Sequence, residues 1–355
     1  MNCCIFNSRS IKNKLSELEI LLDSKEYDVI GITETWLNST CPDGLVTSSN
    51  YKVISRSDRF GHSQGGGVIM IAKNEIVTDT IDLDYYKNMK SSSDACGVDI
   101  LFDNKRLSLI TVYRPPNAND EDDKALIVML RNFVASSQIP IVVGDFNLPS
   151  VNWATRNAAL SGDRLILDAC NDLDLFQLVE FPTRGTNILD LILVRDQTLV
   201  SECEQHANFG SSDHYMVSFK VNKPFHTTRK RKLRYNYQKI NVEKLNNDIL
   251  MVDWSICELD AAWDKVYDIL NAQLNECKYF AFNLSKLPWM STELANKIKD
   301  KNKAWTKWKK SQTEGDLNEY KQLNSFVVKE SKVQKRIFEE KLSDNCKTNS
   351  KAFFK

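Results

Sequence analysis

The chain has 355 residues, 42% hydrophobic and 26% charged, with 47 basic and 47 acidic side chains. That is an ordinary globular composition, long enough for a sizeable core in one large or two modest domains. Its nine cysteines are odd in number, scattered and without a C-x-x-C pair, which speaks against zinc ribbons and redox motifs.

No apolar run of about 18 residues and no signal peptide is present, so a membrane role is not expected and a reducing, intracellular compartment is. The zero net charge conceals an asymmetry. Residues 1–222 hold 20 Lys and Arg against 30 Asp and Glu, and residues 223–355 hold 27 against 17. Two regions of opposite charge predict two roles, the basic one in contact with a polyanion.

In chain order, "NCCIFN" predicts a strand and "IKNKLSELEILLDS" an amphipathic helix with Ile11, Leu15, Leu18 and Leu22 on one face. "YDVIGITET", "YKVISRS", "GGGVIMIA", "ACGVDILF" and "RLSLITVY" follow as short strands with polar breaks. "DEDDKALIVMLRNFVASS" is a helix with acids in its first turn, where the helix dipole favours them. "IPIVV", Ile139 to Val143, is a buried strand that Gly144 ends, "GDRLILDACNDLDL" a helix, and "NILDLILV" and "YMVSFKV" are strands. Interleaved strands and helices predict an α/β fold over residues 1–222 with both sheet faces covered. After a basic linker at 223–240, residues 241–355 carry helical patterns and no convincing strand, and predict a mainly helical, basic connector. Its Lys297, Lys299, Lys301, Lys303, Lys307, Lys309 and Lys310 surround Trp305 and Trp308. The "RKRKLR" run reads equally as a nuclear-import patch or a solvated linker.

Polar residues recur at the strand ends. Asn7, Glu34, Tyr113, Asp145 and Asn147 follow apolar runs, Asp190 opens one, and Ser212, Asp213 and His214 precede the last. Each alone reads as a turn or cap; the set reads as one edge of a layered sheet, where sites are built. Carboxylates and amides without cysteine suit Mg²⁺, with Mn²⁺ the alternative. Phosphodiester hydrolysis needs a cation, an oriented water and donors for developing charge. Glu34 and Asp213 suit the cation, Asp145 with Asn147 the water, and His214 the phosphate. Strand alternation should place Asp145 and Asn147 on the site side, with Phe146 between them in the core.

The ordered set Asn7, Glu34, Tyr113, "GDFN", "LDLIL" and "SSDH" resembles the endonuclease/exonuclease/phosphatase superfamily over residues 2–221. "NSRSIKNK", "ITETWL", "VYRPPN" and "FPTRGTNILDLILV" further resemble the endonuclease domain of jockey-type non-LTR retrotransposons, and "PWMSTEL" the segment toward their reverse transcriptase. The resemblance implies a four-layer sandwich of two packed mixed β-sheets flanked by helices. It implies Mg²⁺-dependent nicking of DNA that leaves a 3′-hydroxyl for priming reverse transcription, in the nucleus or else the cytoplasm, with element RNA as a partner of the basic tail. By motif, Glu34 would be the principal metal ligand, with Asn7 and Asp213 near it. Asp145 would activate water, Asn147 orient it, and His214, held by Asp190, bind the scissile phosphate. Tyr113 would support the leaving group or the phosphate, while Arg114, Asn117 and Ser212 line the site and Arg9, Thr183 and Arg184 contact DNA backbone. The chain lacks a Tyr/Phe-x-Asp-Asp polymerase motif. The alternatives are a phosphodiesterase or phosphatase of the same superfamily, or an inactive remnant that only binds nucleic acid.

Overall fold

Two six-stranded sheets form the centre of the computed structural model, which describes residues 1–59, 65–102, 105–222, 233–235, 241–252, 259–276, 278–280 and 287–346. The elements run β1 (Asn2–Asn7), α1 (Leu15–Ser24), β2 (Val29–Thr33), β3 (Tyr51–Ser57), β4 (Val68–Lys73), β5 (Thr78–Thr80) and α2 (Asp84–Lys87). Then come β6 (Asp94–Phe102), β7 (Lys105–Tyr113), α3 (Asp120–Ser136), β8 (Ile139–Asp145), β9 (Val151–Asn152), β10 (Asn157–Ala158) and α4 (Ser161–Asp172). β11 (Phe176–Gln177), β12 (Asp190–Val194), β13 (Val200–Asn208) and β14 (Tyr215–Val221) complete the sheets. One sheet has the order β13-β14-β1-β2-β4-β3 and the other β11-β12-β8-β7-β6-β5. Only β1–β2 and β7–β8 pair in parallel, so both sheets are mixed.

Strand alternation builds the layers. Cys3 and Ile5 of β1, Val68 and Met70 of β4, Leu107 and Leu109 of β7, and Ile141 and Val143 of β8 point into one cluster between the sheets. Their neighbours point outward: Cys4, Phe6, Ile69 and Ile71 pack with Leu18 and Leu22 of α1, and Val142 and Leu191 with Leu126, Phe133 and Ile166 of α3 and α4. The result is helix, sheet, sheet, helix. Gly31 marks how closely the sheets meet, since a Cβ there would lie 2.7 Å from Thr111 Oγ1. β13 is a strand that the sequence pattern does not show. Register shifts between Ser201 and Glu204 and between His206 and Asn208 break its period of two.

The chain divides into two compact units, one of residues 1–227 with 285–355 and one of 228–284. The second contains β15 (Leu233–Tyr235), α5 (Val242–Leu250), α6 (Leu259–Glu276) and β16 (Lys278–Phe280). In it α5 lies against α6, and β15 pairs with β16, a short strand inside a region expected to have none. Most of the "RKRKLR" run lies outside the described residues.

The last two helices, α7 (Thr292–Ser311) and α8 (Glu314–Cys346), form a hairpin that belongs to the first unit. The expected connector over 241–355 is therefore divided between two units. Trp305 and Trp308 of α7 and Tyr320 of α8 gather on Tyr215 of β14, with Trp305–Tyr215 ring centroids 5.4 Å apart. Asn324 Nδ2 donates to Gly210 O at 3.0 Å, Lys309 Nζ to Gln205 O at 3.2 Å, and Lys335 pairs with Glu19 at 2.6 Å. The physical reason is aromatic burial: Trp305 is only 6% exposed. No helix among the described residues is long and apolar enough to cross a membrane.

Candidate active site

The inner face of each sheet is apolar until the strands reach one edge. There, at the next inward positions, β1 ends in Asn7, β7 in Tyr113 and β8 in Asp145, and β12 begins with Asp190. Register aligns them: Tyr113 lies opposite Asp145, which lies opposite Asp190. The facing sheet supplies Asn7 opposite Thr33, then Glu34 just beyond β2, and His214 just before β14. Two packed sheets thus bring acids, an amide, a phenol and an imidazole to one mouth, a position at which rigid strands fix each side chain.

The backbone at this mouth is bent. Arg9, Ser10, Glu34, Trp36 and Asn147 all have positive φ, between 40° and 75°. Non-glycine residues adopt that region at a cost of order 1–3 kcal/mol each, and such strain clusters at functional sites. Gly144 has φ +132°, and a Cβ there would lie 1.9 Å from the carbonyl oxygen of Val112. Only glycine fits, which is why the apolar strand breaks at this residue before Asp145.

Buried polar groups hold the bends. Lys14 is 2% exposed, and its Nζ donates to the carbonyls of Ser8, Arg9 and Ser10 at 2.8, 2.9 and 3.1 Å. Ser212 Oγ donates to Asn7 O at 2.6 Å. Arg114 forms a fork onto Asp123, Nε to Oδ1 at 2.6 Å and Nη2 to Oδ2 at 2.9 Å, and its Nη1 donates to Asn147 O. Arg59 pairs with Asp94 at 3.1 Å and lies over the Tyr113 ring at 5.3 Å, while Asp94 also accepts from Gly67 N.

Asn7 Nδ2 donates to Glu34 Oε1 at 2.8 Å and to Asp145 Oδ2 at 2.7 Å. Asp145 Oδ1 accepts from the backbone N–H of Asn147 at 3.1 Å. His214 Nδ1 binds Asp190 Oδ2 at 2.8 Å, and its Nε2 lies 3.9 Å from Asp145 Oδ2. Burial, then the charge of Asp190, pushes Asp145 up to about 7, against the pull of His214 and Asn7. Burial lowers the His214 pKa, but Asp190 outweighs it by charge and hydrogen bond, with help from Asp145 and Asp213, and raises it to about 9. Burial and the charges of Glu34 and Asp145 push the Tyr113 phenol up, so it keeps its proton as a donor.

The site can also hold a hard cation. Asp145, Asp190 and His214 have ligand atoms within 4.8 Å of one another. Asp190 already occupies Nδ1 of the imidazole, however, so that trio forms an acid–imidazole–acid chain. Glu34 and Asp145 offer the oxygen set that Mg²⁺ prefers, both within hydrogen-bond reach of one Asn7 nitrogen. Among the described residues neither carboxylate is paired with Lys or Arg, which leaves their charge for a cation.

The structure brings together Asn7, Glu34, Tyr113, Asp145, Asn147, Asp190, Ser212 and His214. Asp213 stands apart: its Oδ2 is held by Arg184 at 2.7 Å and Arg9 at 3.3 Å, and no bond links it to Glu34 or Asn7 among the described residues. Burial acts to raise its pKa, but Arg184, His214 and Arg9 lower it overall. Arg9 and Arg184 are about half-exposed on the rim. Thr183, expected to touch DNA backbone, is fully buried instead, and its Oγ1 accepts from the N–H groups of Leu189 and Asp190. Arg114, expected to line the site, is 4% exposed and positions the Asn147 turn from beneath. Asn117 is exposed in the turn before α3 and makes no bond to the cluster among the described residues.

Sequence reasoning missed Lys14, Arg59, Asp94 and Asp123. Only Asp123 left a trace: it lies at helical spacing with buried Leu126 and Leu130, on the inward stripe of α3. Trp36, whose Nε1 donates to Glu34 Oε2 at 3.3 Å, was also not assigned a part.

Residues 107–218 match the family model described as endonuclease-reverse transcriptase. No curated protein matches the chain in sequence. The AP endonuclease LMAP from Leishmania major is similar in structure, with 13% identity, TM-score 0.51, and coverage of 63% of this chain and 88% of its own. A 3′ phosphatase from Neisseria bound to a product DNA hairpin is 15% identical over 63% of this chain and all of its own, with TM-score 0.50. The endonuclease domain of TRAS1, a telomere-specific non-LTR retrotransposon, is 16% identical over 62% of this chain and 98% of its own, with TM-score 0.49. At these identities the likeness to the first two is one of fold alone.

Proposed function

We propose that this chain is a divalent-cation-dependent DNA endonuclease of a retroelement, within the endonuclease/exonuclease/phosphatase superfamily; the matched segment and the two-sheet fold support that reading. Its product is a nick with a free 3′-hydroxyl that primes reverse transcription. The observation that carries this is the wholly buried Asp145, facing the Asp190–His214 pair on one side and the Asn7–Glu34 pair on the other. The matched family model, described as endonuclease-reverse transcriptase, supports DNA and the retroelement setting.

Glu34 would hold Mg²⁺ or Mn²⁺, which when bound supplies positive charge for the phosphate oxygens. The chain's own groups do the rest. Asp145, with its proton affinity raised by burial, accepts the proton of the attacking water. The N–H of Asn147 fixes the rotamer of that carboxylate. His214, kept cationic by Asp190, presents Nε2 to the scissile phosphate. Tyr113 donates a hydrogen bond from its phenolic O–H to the oxygen on which charge develops. Arg9 and Arg184 hold flanking phosphates at the rim.

The test is end chemistry. Supercoiled plasmid is incubated with protein and Mg²⁺, and the nicked circle is offered to a DNA polymerase without phosphatase treatment. Direct extension from the nick supports the proposal. A nick that extends only after phosphatase treatment contradicts it, as does release of phosphate from small esters with intact plasmid.

A further inference from the structure

Between the loop that precedes β14 and the face of α8 runs a groove of about 600 Å³. Gly210, Ser211 and Ser212 form one wall, and Lys321, Lys329 and Lys332 stand on the other. No carboxylate lines it. Lys321 and Lys332 lie three helical turns apart, hence on one face of α8, and all three lysines are exposed. The helix is not free to drift from the loop, because Asn324 donates to Gly210 O and Lys335 pairs with Glu19 of α1.

The groove shares a wall with the residues that hold the catalytic mouth. Ser212, in its wall, donates to the carbonyl of Asn7, and Gly210 packs on the stem of Lys14, the residue that holds the Asn7–Ser10 bend. Lys332 is near enough to Lys14 for its charge to act on that buried ammonium. The mouth itself is acidic, within a region of net negative charge. A polyanion that enters it needs neutralisation alongside, and α8 brings cations of the basic C-terminal region to its rim.

We propose that this groove is a track for the backbone of duplex DNA flanking the scissile phosphate, so that the C-terminal hairpin is part of the nuclease's substrate surface. The inference rests on the DNA reading of the site. Phosphates recur every 3.4 Å along one strand, so three helical turns, about 16 Å, span several of them. Trp305 and Trp308, which a nucleic-acid surface could otherwise offer for stacking, are occupied with Tyr215 and Tyr320, so recognition here is electrostatic.

The full chain is titrated with a fluorescent duplex of about 30 base pairs in EDTA, over about 50–200 mM salt, by anisotropy. Each lost phosphate contact flattens log K against log salt by about 0.9, so Lys321→Gln/Lys329→Gln/Lys332→Gln should lower the slope by 2–3. Lys297→Gln/Lys303→Gln/Lys310→Gln, with the same net charge but outside the groove, should change it by less than about 1. If the first triple variant melts early, the double variant Lys321→Gln/Lys329→Gln carries the test, with a loss of about 1.8. An unchanged slope overturns the inference. So does an equal effect of the control set, or a loss seen with single-stranded RNA and not with the duplex. Nicking is read separately. Groove-dependent binding without nicking keeps the track and removes the endonuclease, and nicking with a groove-independent slope does the reverse.

Discussion

Gly144→Ala should separate strand geometry from side-chain chemistry. The methyl group would lie 1.9 Å from Val112 O and 2.8 Å from Val112 N. Both are backbone atoms of the neighbouring strand, opposite Gly144 in the parallel ladder, so no rotamer relieves the clash. The normal separation of carbon and carbonyl oxygen is about 3.3 Å or more, and β7 must therefore part locally from β8. An alanine at φ +132° adds strain of order 1–3 kcal/mol, and the lost ladder bonds about 1 kcal/mol each. Together these give about 3–5 kcal/mol of destabilisation, read as a lower urea midpoint at unchanged slope. Asp145 is the next residue, and displacing it by about 1 Å should lower nicking about a hundredfold. A cost under about 1 kcal/mol with nicking retained would refute the assigned backbone of the Gly144–Asn147 turn.

Three further outcomes follow from the buried groups. Arg114→Met strands Asp123 and should cost about 3–5 kcal/mol in urea denaturation, with Asp123→Leu in the same chain recovering much of it. Lys14→Met leaves three carbonyls without their donor, and about 2–4 kcal/mol of stability should be lost together with about tenfold in nicking. Asp190→Asn removes the main support of the His214 proton. Because the folded pKa, about 9, lies above the unfolded one, this support is fully present below about 6.5 and disappears as pH rises through 9. Thermal melts should therefore show the largest gap between wild type and Asp190→Asn in acid and a closing gap above pH 9, and a gap independent of pH would contradict the assignment.

The sheet and its site were largely legible because both obey a period of two. Cys3 and Ile5 lead to Asn7, and Ile141 and Val143 to Asp145, by simple continuation of the inward face. Phe146 does point the other way, into the cluster under α3 and α4. The reason given for Asn147 does not carry over. The strand ends at Asp145, Asn147 has φ +47°, and its N–H returns to the Asp145 carboxylate. The two-residue spacing is that of an Asx turn and not of strand alternation. Lys14, Arg59 and the pairing of Arg114 with Asp123 were illegible for a different reason. Charged residues at such positions ordinarily face water, and only contacts between distant segments bury them. The docking of α7 and α8 was likewise hidden, since Trp305 and Trp308 finish on Tyr215, a residue far away in sequence.

The central claim is that Asp145 and His214, at the mouth between the sheets, hydrolyse a phosphodiester of DNA. Its most direct test is the rate of supercoiled plasmid nicking in Mg²⁺ by wild type, Asp145→Ala and His214→Ala, with folding checked by circular dichroism. Nicking by the wild type, with losses of about 10²–10⁴-fold in each variant, is the predicted result. Equal nicking by all three proteins contradicts it.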